Sequence, residues 1–172
     1  SSLVGIYGYA AMAVEGFIQL MVVVRANVNP LLTQIYVSEG AEALGTLIRR
    51  GRPLAYQFLG SLGLVAILAF PVIVYLGLGD NVWEIELIFA ILMSGIIVSA
   101  GYMPFLAVFN QVGQPVVQTI LLTFVFVTNL ALNLVLCFAF GIWGAAVATT
   151  TSFLIQVVYL KLLCRRSLAV II

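Results

Sequence analysis

Two charged side chains stand inside the first apolar run of the chain: Glu15 and, ten residues later, Arg25. A carboxylate in such a run can bind a proton or a cation, or accept hydrogen bonds from a polar substrate. A guanidinium presents a planar fork of donors that suits phosphate oxygens. Along an ideal helix the two lie about 15 Å apart, so they do not pair with each other and each needs another partner. Each also has a plain structural reading. Glu15 can be protonated and bonded to a neighbouring helix, or hydrated in a shallow crevice, and Arg25 can snorkel to the headgroups. Gln19, Asn29, Asn129 and Asn133 are neutral and can hydrogen-bond a hydroxyl-rich ligand. As glue between helices such groups contribute only about 0.6 kcal/mol per bond on average. That packing role is favoured for Asn133 and Gln156.

The elements that must position these side chains belong in lipid. Of 172 residues, 64% are hydrophobic and only 8% charged, with a mean hydropathy of +1.24. A soluble domain is nearer one-quarter charged, so there is too little charge here to cover a globular surface. No charge occurs from Leu87 to Leu160. Alternation of polar and apolar residues is absent over long stretches, which argues against an outer-membrane barrel. The expected fold is therefore all-α, an integral membrane helical bundle, because backbone groups in lipid must be satisfied within helices.

Five transmembrane helices are expected within a single domain, residues 1–172, at about 3–37, 54–78, 87–109, 116–139 and 144–164. The first exceeds the roughly 30 Å hydrocarbon core, and Pro30 is the expected bend. Gly8, Ala11, Glu15, Gln19, Ala26, Asn29 and Thr33 share its small, polar face, which should meet protein or water rather than lipid. Residues 38–53 read as a linker with a capping pattern at Ser38 and Glu42, and with Arg49, Arg50 and Arg52 at its end. Pro71 should kink the second helix. The stretch Asn129–Leu160 reads as a helical hairpin broken at Phe140–Gly144. Its second helix carries Gly144, Ala148 and Ser152 on one closely packed face. The arginine loop and the basic end at Lys161, Arg165 and Arg166 then both face the cytoplasm, while the acidic loop from Gly79 to Glu86 faces out.

Several function classes are excluded or weakened. There is no histidine, which removes HExxH sites, His-based triads and most zinc or haem sites within the chain. No nucleophile–base set, phosphate loop or metal cluster can be assembled, so the chain is expected to be no enzyme and to need no cofactor. No basic cluster suits nucleic acid. Cys137 and Cys164 read as small apolar fillers rather than a disulfide. The start at Ser1-Ser2-Leu3 and the apolar run to Ile172 suggest a fragment of a larger transporter.

Particular stretches carry a family resemblance. Ile6-Tyr7-Gly8-Tyr9-Ala10-Ala11 and then ANVNPLLTQIYVSEGAEALGTLIRRGRP resemble the second helix and following loop of a six-helix repeat in polysaccharide flippases. These belong to the multidrug/oligosaccharidyl-lipid/polysaccharide exporter superfamily. NLALNLVLCFAFGIWGAAVATTTSFLIQ is similar to the fifth and sixth helices of that repeat, and Phe109–Pro115 to the turn before them. The resemblance implies most of one six-helix lobe of a two-lobe exporter, in its C-terminal half, with an N-terminal lobe as partner. It implies a multi-pass protein of the cytoplasmic (inner) membrane that moves a lipid-linked oligosaccharide by alternating access. A sugar-phosphate headgroup needs a polar cavity, and Glu15, Gln19, Arg25, Asn29 and Asn129 are the residues expected to line it. A cation-coupled multidrug antiporter of the same superfamily is the alternative. A structural membrane module whose polar residues only pack is a third reading.

Overall fold

Two glycines set the architecture. Gly40 (φ 85°, ψ −172°) and Gly141 (φ 58°, ψ −135°) hold backbone conformations that L side chains rarely adopt, and each lies inside a very long helical run. The structure, a computed structural model, describes residues 2–78 and 83–172, so Asp80 of the expected acidic loop lies outside them. It is all-helical, with no strand among the described residues. Helix α1 is Ser2–Ala55, with arms 2–39 and 41–55 on either side of Gly40. A π-helical turn, Tyr56–Gly60, leads into α2, Ser61–Leu78. Helix α3, Trp83–Ser99, gives way to a short 3-10 turn at Met103–Phe105 and to α4, Val108–Gln111. Helix α5 is Pro115–Ser167, with arms 115–140 and 142–167 around Gly141.

Both long runs fold back at their glycine. The rings of Tyr9 and Phe70 lie 6.5 Å apart, whereas a straight helix would separate those residues by about 90 Å. Val28 and Leu31 of the first arm border the same groove as Leu47, Gly51 and Ala55 beyond Gly40. In α5, the Phe124 and Tyr159 rings are 5.4 Å apart, and Asn129 Nδ2 donates to Ser152 Oγ at 3.0 Å. The hairpin expected from Asn129 to Leu160 is thus formed, with its turn at Gly141. Gly144, Ala148 and Ser152 are buried along its seam, as their spacing predicts.

Counted as helical runs long and apolar enough to cross a membrane, the chain has two, Tyr7–Leu76 and Pro115–Ser167. It has three if Trp83–Ser99 and Met103–Gln111, bent by 65°, form one span. The five spans expected from sequence are not obtained on this count, because no loop separates the arms at Gly40 or at Gly141. The expected linker at 38–53 is also replaced. Ser38 Oγ donates back to Gln34 O at 2.8 Å, so Ser38 ends one helical arm instead of capping the next. Residues 41–55 continue as helix through Pro53. The turn falls at Gly40, and Pro30 stays within helical geometry. Pro71 likewise lies inside α2, and the irregular turn comes earlier, at Tyr56–Gly60.

The core sits around α3. Ile88, Leu92, Met93 and Ile96 are almost wholly buried, and Tyr102–Leu106 continue that buried column. Phe89 stacks on Phe70 of α2 at 3.8 Å between ring centres. On the other side α3 and α5 meet backbone to backbone. A Cβ at Gly95 would stand 2.9 Å from Thr150 Cα, and Thr150 Oγ1 donates to Ile91 O at 2.8 Å. The first arm of α5, by contrast, turns Phe126, Leu134, Val135 and Phe138 outward, the last 96% exposed. Such a surface suits a lipid environment and would be a liability in water.

Candidate functional site

The first arm of α1 is two-faced. Ala10, Val14, Phe17 and Met21 are buried against the bundle at helical spacing. That contact turns Glu15 and Gln19 outward, where both are exposed. Among the described residues Glu15 has neither a hydrogen-bond nor an ion-pair partner. At Glu15 and Gln19 the polar stripe read from the sequence thus faces away from the rest of this chain, while further along Thr33 bonds to α4.

Arg25 lies lower on the same arm, half-buried. It lines a crevice of ≈ 160 Å³ where four elements meet. Met21 comes from α1, Ile96 from α3, Met103 from the 3-10 turn, and Phe153 and Gln156 from α5. The walls are mostly apolar, and Gln156 is the polar side chain that joins Arg25 there. No carboxylate stands within ion-pair reach of Arg25 among the described residues. A guanidinium in such a place keeps donors free for an anion, and the low-dielectric walls strengthen any charge-assisted bond it makes. One turn beyond, the Asn29 Oδ1 atom is buried without a hydrogen-bond partner. Thr33 Oγ1 donates to Gln111 Oε1 at 2.9 Å, which ties the same arm to α4.

Asn129 belongs to a different place. Its Nδ2 bonds Ser152 across the α5 seam, while its Oδ1 and its carbonyl oxygen accept from Asn133 Nδ2 at 3.2 and 3.0 Å. Its side-chain donor and acceptor are both used inside the hairpin. Of the five residues expected to line one cavity, the structure places Glu15, Gln19, Arg25 and Asn29 along one arm and sets Asn129 into a packing seam. Gln156, read from sequence as packing, also borders the crevice that Arg25 lines. The signal was present in its four-residue spacing from Ser152, which already put it on a face turned towards a neighbour.

Among the described residues no group of three His, Cys, Asp or Glu side chains comes together. An unpartnered carboxylate, an amide and a guanidinium follow one another along about 15 Å of helix, which suits a long polar ligand better than a point reaction. Compared with protein-family models, curated proteins and solved structures, the chain matches none of them.

Proposed function

We propose that the chain is part of a membrane transporter that moves a lipid-linked oligosaccharide across the cytoplasmic membrane by alternating access. The outward, unpartnered polar face at Glu15 and Gln19 carries this reading. In lipid that face would cost several kcal/mol, so it is expected to line a polar cavity closed by a second helical lobe. The Arg25 crevice, which Gln156 also borders, then offers a seat for a sugar-phosphate at the cavity's deeper end. A cation-coupled antiporter would use Glu15 differently, as a carboxylate that loads and releases a cation.

The hairpins support a further count. If each glycine turn sits at a membrane surface, the arms cross separately and, with α3 and α4 as one bent span, make five crossings. Arg49, Arg50 and Arg52 then share the cytoplasmic end with Lys161, Arg165 and Arg166, which agrees with the bias of basic residues to that side. Reporter fusions test this. Fusions at Gly40, at Gly113 and after Ser167 are expected to report cytoplasm, and those at Gly79 and Gly141 the outer side. A cytoplasmic signal at Gly141 would break the five-crossing arrangement.

The transport reading is tested in a strain lacking its own oligosaccharide flippase, with the chain expressed alongside its natural flanking sequence. Wild type is expected to restore surface polysaccharide. Arg25→Ala, at matched membrane levels, is expected to lower export about tenfold or more, the loss of one charge-assisted contact of roughly 1.5–3 kcal/mol. Drug resistance without polysaccharide would favour the antiporter.

A further inference from the structure

A second basic site lies outside the polar face of α1, where two departures from regular helix meet. The π-helical turn at Tyr56–Gly60 faces the break in the helix between Ser99 and Met103. A Cβ at Gly101 would collide with the Tyr56 ring and would stand 2.8 Å from Arg52 Cγ. Glycine there admits both side chains to the backbone. Tyr56 OH is anchored by donating to Val98 O at 2.8 Å, and the Tyr56 ring meets that of Tyr102 edge-on at 6.3 Å.

Tyr102, itself 3% exposed, gathers two cations from distant parts of the chain. Arg52 donates from Nη1 to the Tyr102 hydroxyl, and its guanidinium carbon lies 5.1 Å from the ring centre. Lys161 Nζ, from the second arm of α5, lies 4.7 Å from the same centre. No carboxylate pairs with either among the described residues. Two like charges on one ring repel, and the ring's own attraction for a cation is only about 0.5–2 kcal/mol. A dianion or monoanion shared between them would turn that repulsion into attraction. Space exists for one: Arg52, Tyr56, Tyr102 and Lys161 border a groove of ≈ 280 Å³ whose remaining walls are Val98, Leu154 and Val157. Val98 is 58% exposed, Leu154 38%, and Val158 beside them 52%. The groove thus runs from two cations onto an open aliphatic surface.

We infer that this groove binds the phosphate of a membrane lipid, with Arg52 and Lys161 on its oxygens and the acyl chains along Val98, Leu154 and Val158. The inference rests on the chain being embedded in a membrane and not on what it transports. Guanidinium and ammonium groups supply charge-assisted bonds to phosphate, and basic pockets between membrane helices suit anionic headgroups. The aliphatic wall selects a lipid over free phosphate. Occupancy would pin α5 to the end of α1, beside the broken segment.

The test uses the purified full chain in a neutral detergent, in roughly 0.3 M salt so that distant surface charges are screened. Probes are dioctanoyl phosphatidylglycerol, dioctanoylglycerol and inorganic phosphate, and the readouts are binding and thermal stability. Phosphatidylglycerol is expected to bind and to raise the unfolding temperature, and the other two are not. Lys161→Gln, which alters an exposed side chain, is expected to weaken phosphatidylglycerol about tenfold. Arg165→Gln, the same charge change one helical turn on, is expected to leave it within about twofold. Equal losses in the two variants would reduce the effect to general surface charge and overturn the site. Equal binding of inorganic phosphate would overturn the lipid as its source, and binding of dioctanoylglycerol would remove the phosphate's role. A variant that fails to unfold like wild type in the absence of any probe is replaced by Lys161→Arg, which keeps the charge and is expected to keep binding.

Discussion

Gly144→Ala is expected to open the α5 hairpin and to lower stability by about 3 kcal/mol, the upper range for overpacking. The added methyl would enter the carbonyl group of Leu136 and stand 2.9 Å from Cys137 N. Those atoms are backbone, held in the helical ladder of the facing arm, so they cannot turn aside as a side chain would. The arms must separate, which also stretches the Asn129–Ser152 bond and the Phe124–Tyr159 contact. The measurement is reversible unfolding in mixed micelles, with Gly16→Ala as reference. An added methyl at Gly16 meets nothing within 4 Å, and alanine favours the helix, so that variant should be neutral or slightly stabilising. Equal stability of the two variants would show that the α5 arms do not pack at this distance.

Glu15→Leu is expected to abolish export while leaving the protein at least as stable as wild type. Stability and activity separate here because Glu15 is exposed and makes no contact that folding of this chain depends on. Removing a charge from a face in or near lipid should relieve a cost of several kcal/mol. Glu15→Gln sharpens the test. It keeps the shape and one acceptor while losing the charge and the ability to exchange a proton. Export retained in Glu15→Gln but lost in Glu15→Leu points to hydrogen bonding with a polar cargo. Loss in both points to proton or cation coupling. Loss of stability in both, with export per folded molecule unchanged, would return Glu15 to a packing role and remove the main support for the transport reading.

The α5 hairpin was legible from sequence because three signals coincide: paired asparagines, a glycine-rich break, and small residues at four-residue spacing. Each reflects a local demand of the structure, and each is met at Asn129, Gly141 and Gly144. The turn at Gly40 was harder to see. Charged residues surround it on both sides, so composition suggests a long loop, while the backbone needs only one residue of positive φ to reverse. Pro30 and Pro71 drew attention as breakers, yet a proline leaves most of a helix intact and its local cost can be absorbed by packing. The two faces of α1 were readable from period alone, but which of them packs on this chain was not. Nor were the meeting of Arg25 and Gln156 at one crevice and the convergence of Arg52 and Lys161 on Tyr102. They depend on which faces of separate helices meet, and no single-helix pattern contains that information.

The seat of Gly45 has a consequence for how the protein is made. A Cβ there would collide with Val170, and Arg49 Nη1 donates to Ile171 O at 3.3 Å. Val170 follows Gly45 by 125 residues, a delay of roughly 6–25 s at ordinary rates of chain elongation. Throughout that interval Gly45 and Arg49 lack the segment that covers them in the finished structure. Ribosome stalling or slow codons between these points would lengthen the exposure of an unfinished surface. Quality-control proteases are then expected to compete with completion of the chain, so the yield of this protein should depend on translation speed as well as on the strength of its packing.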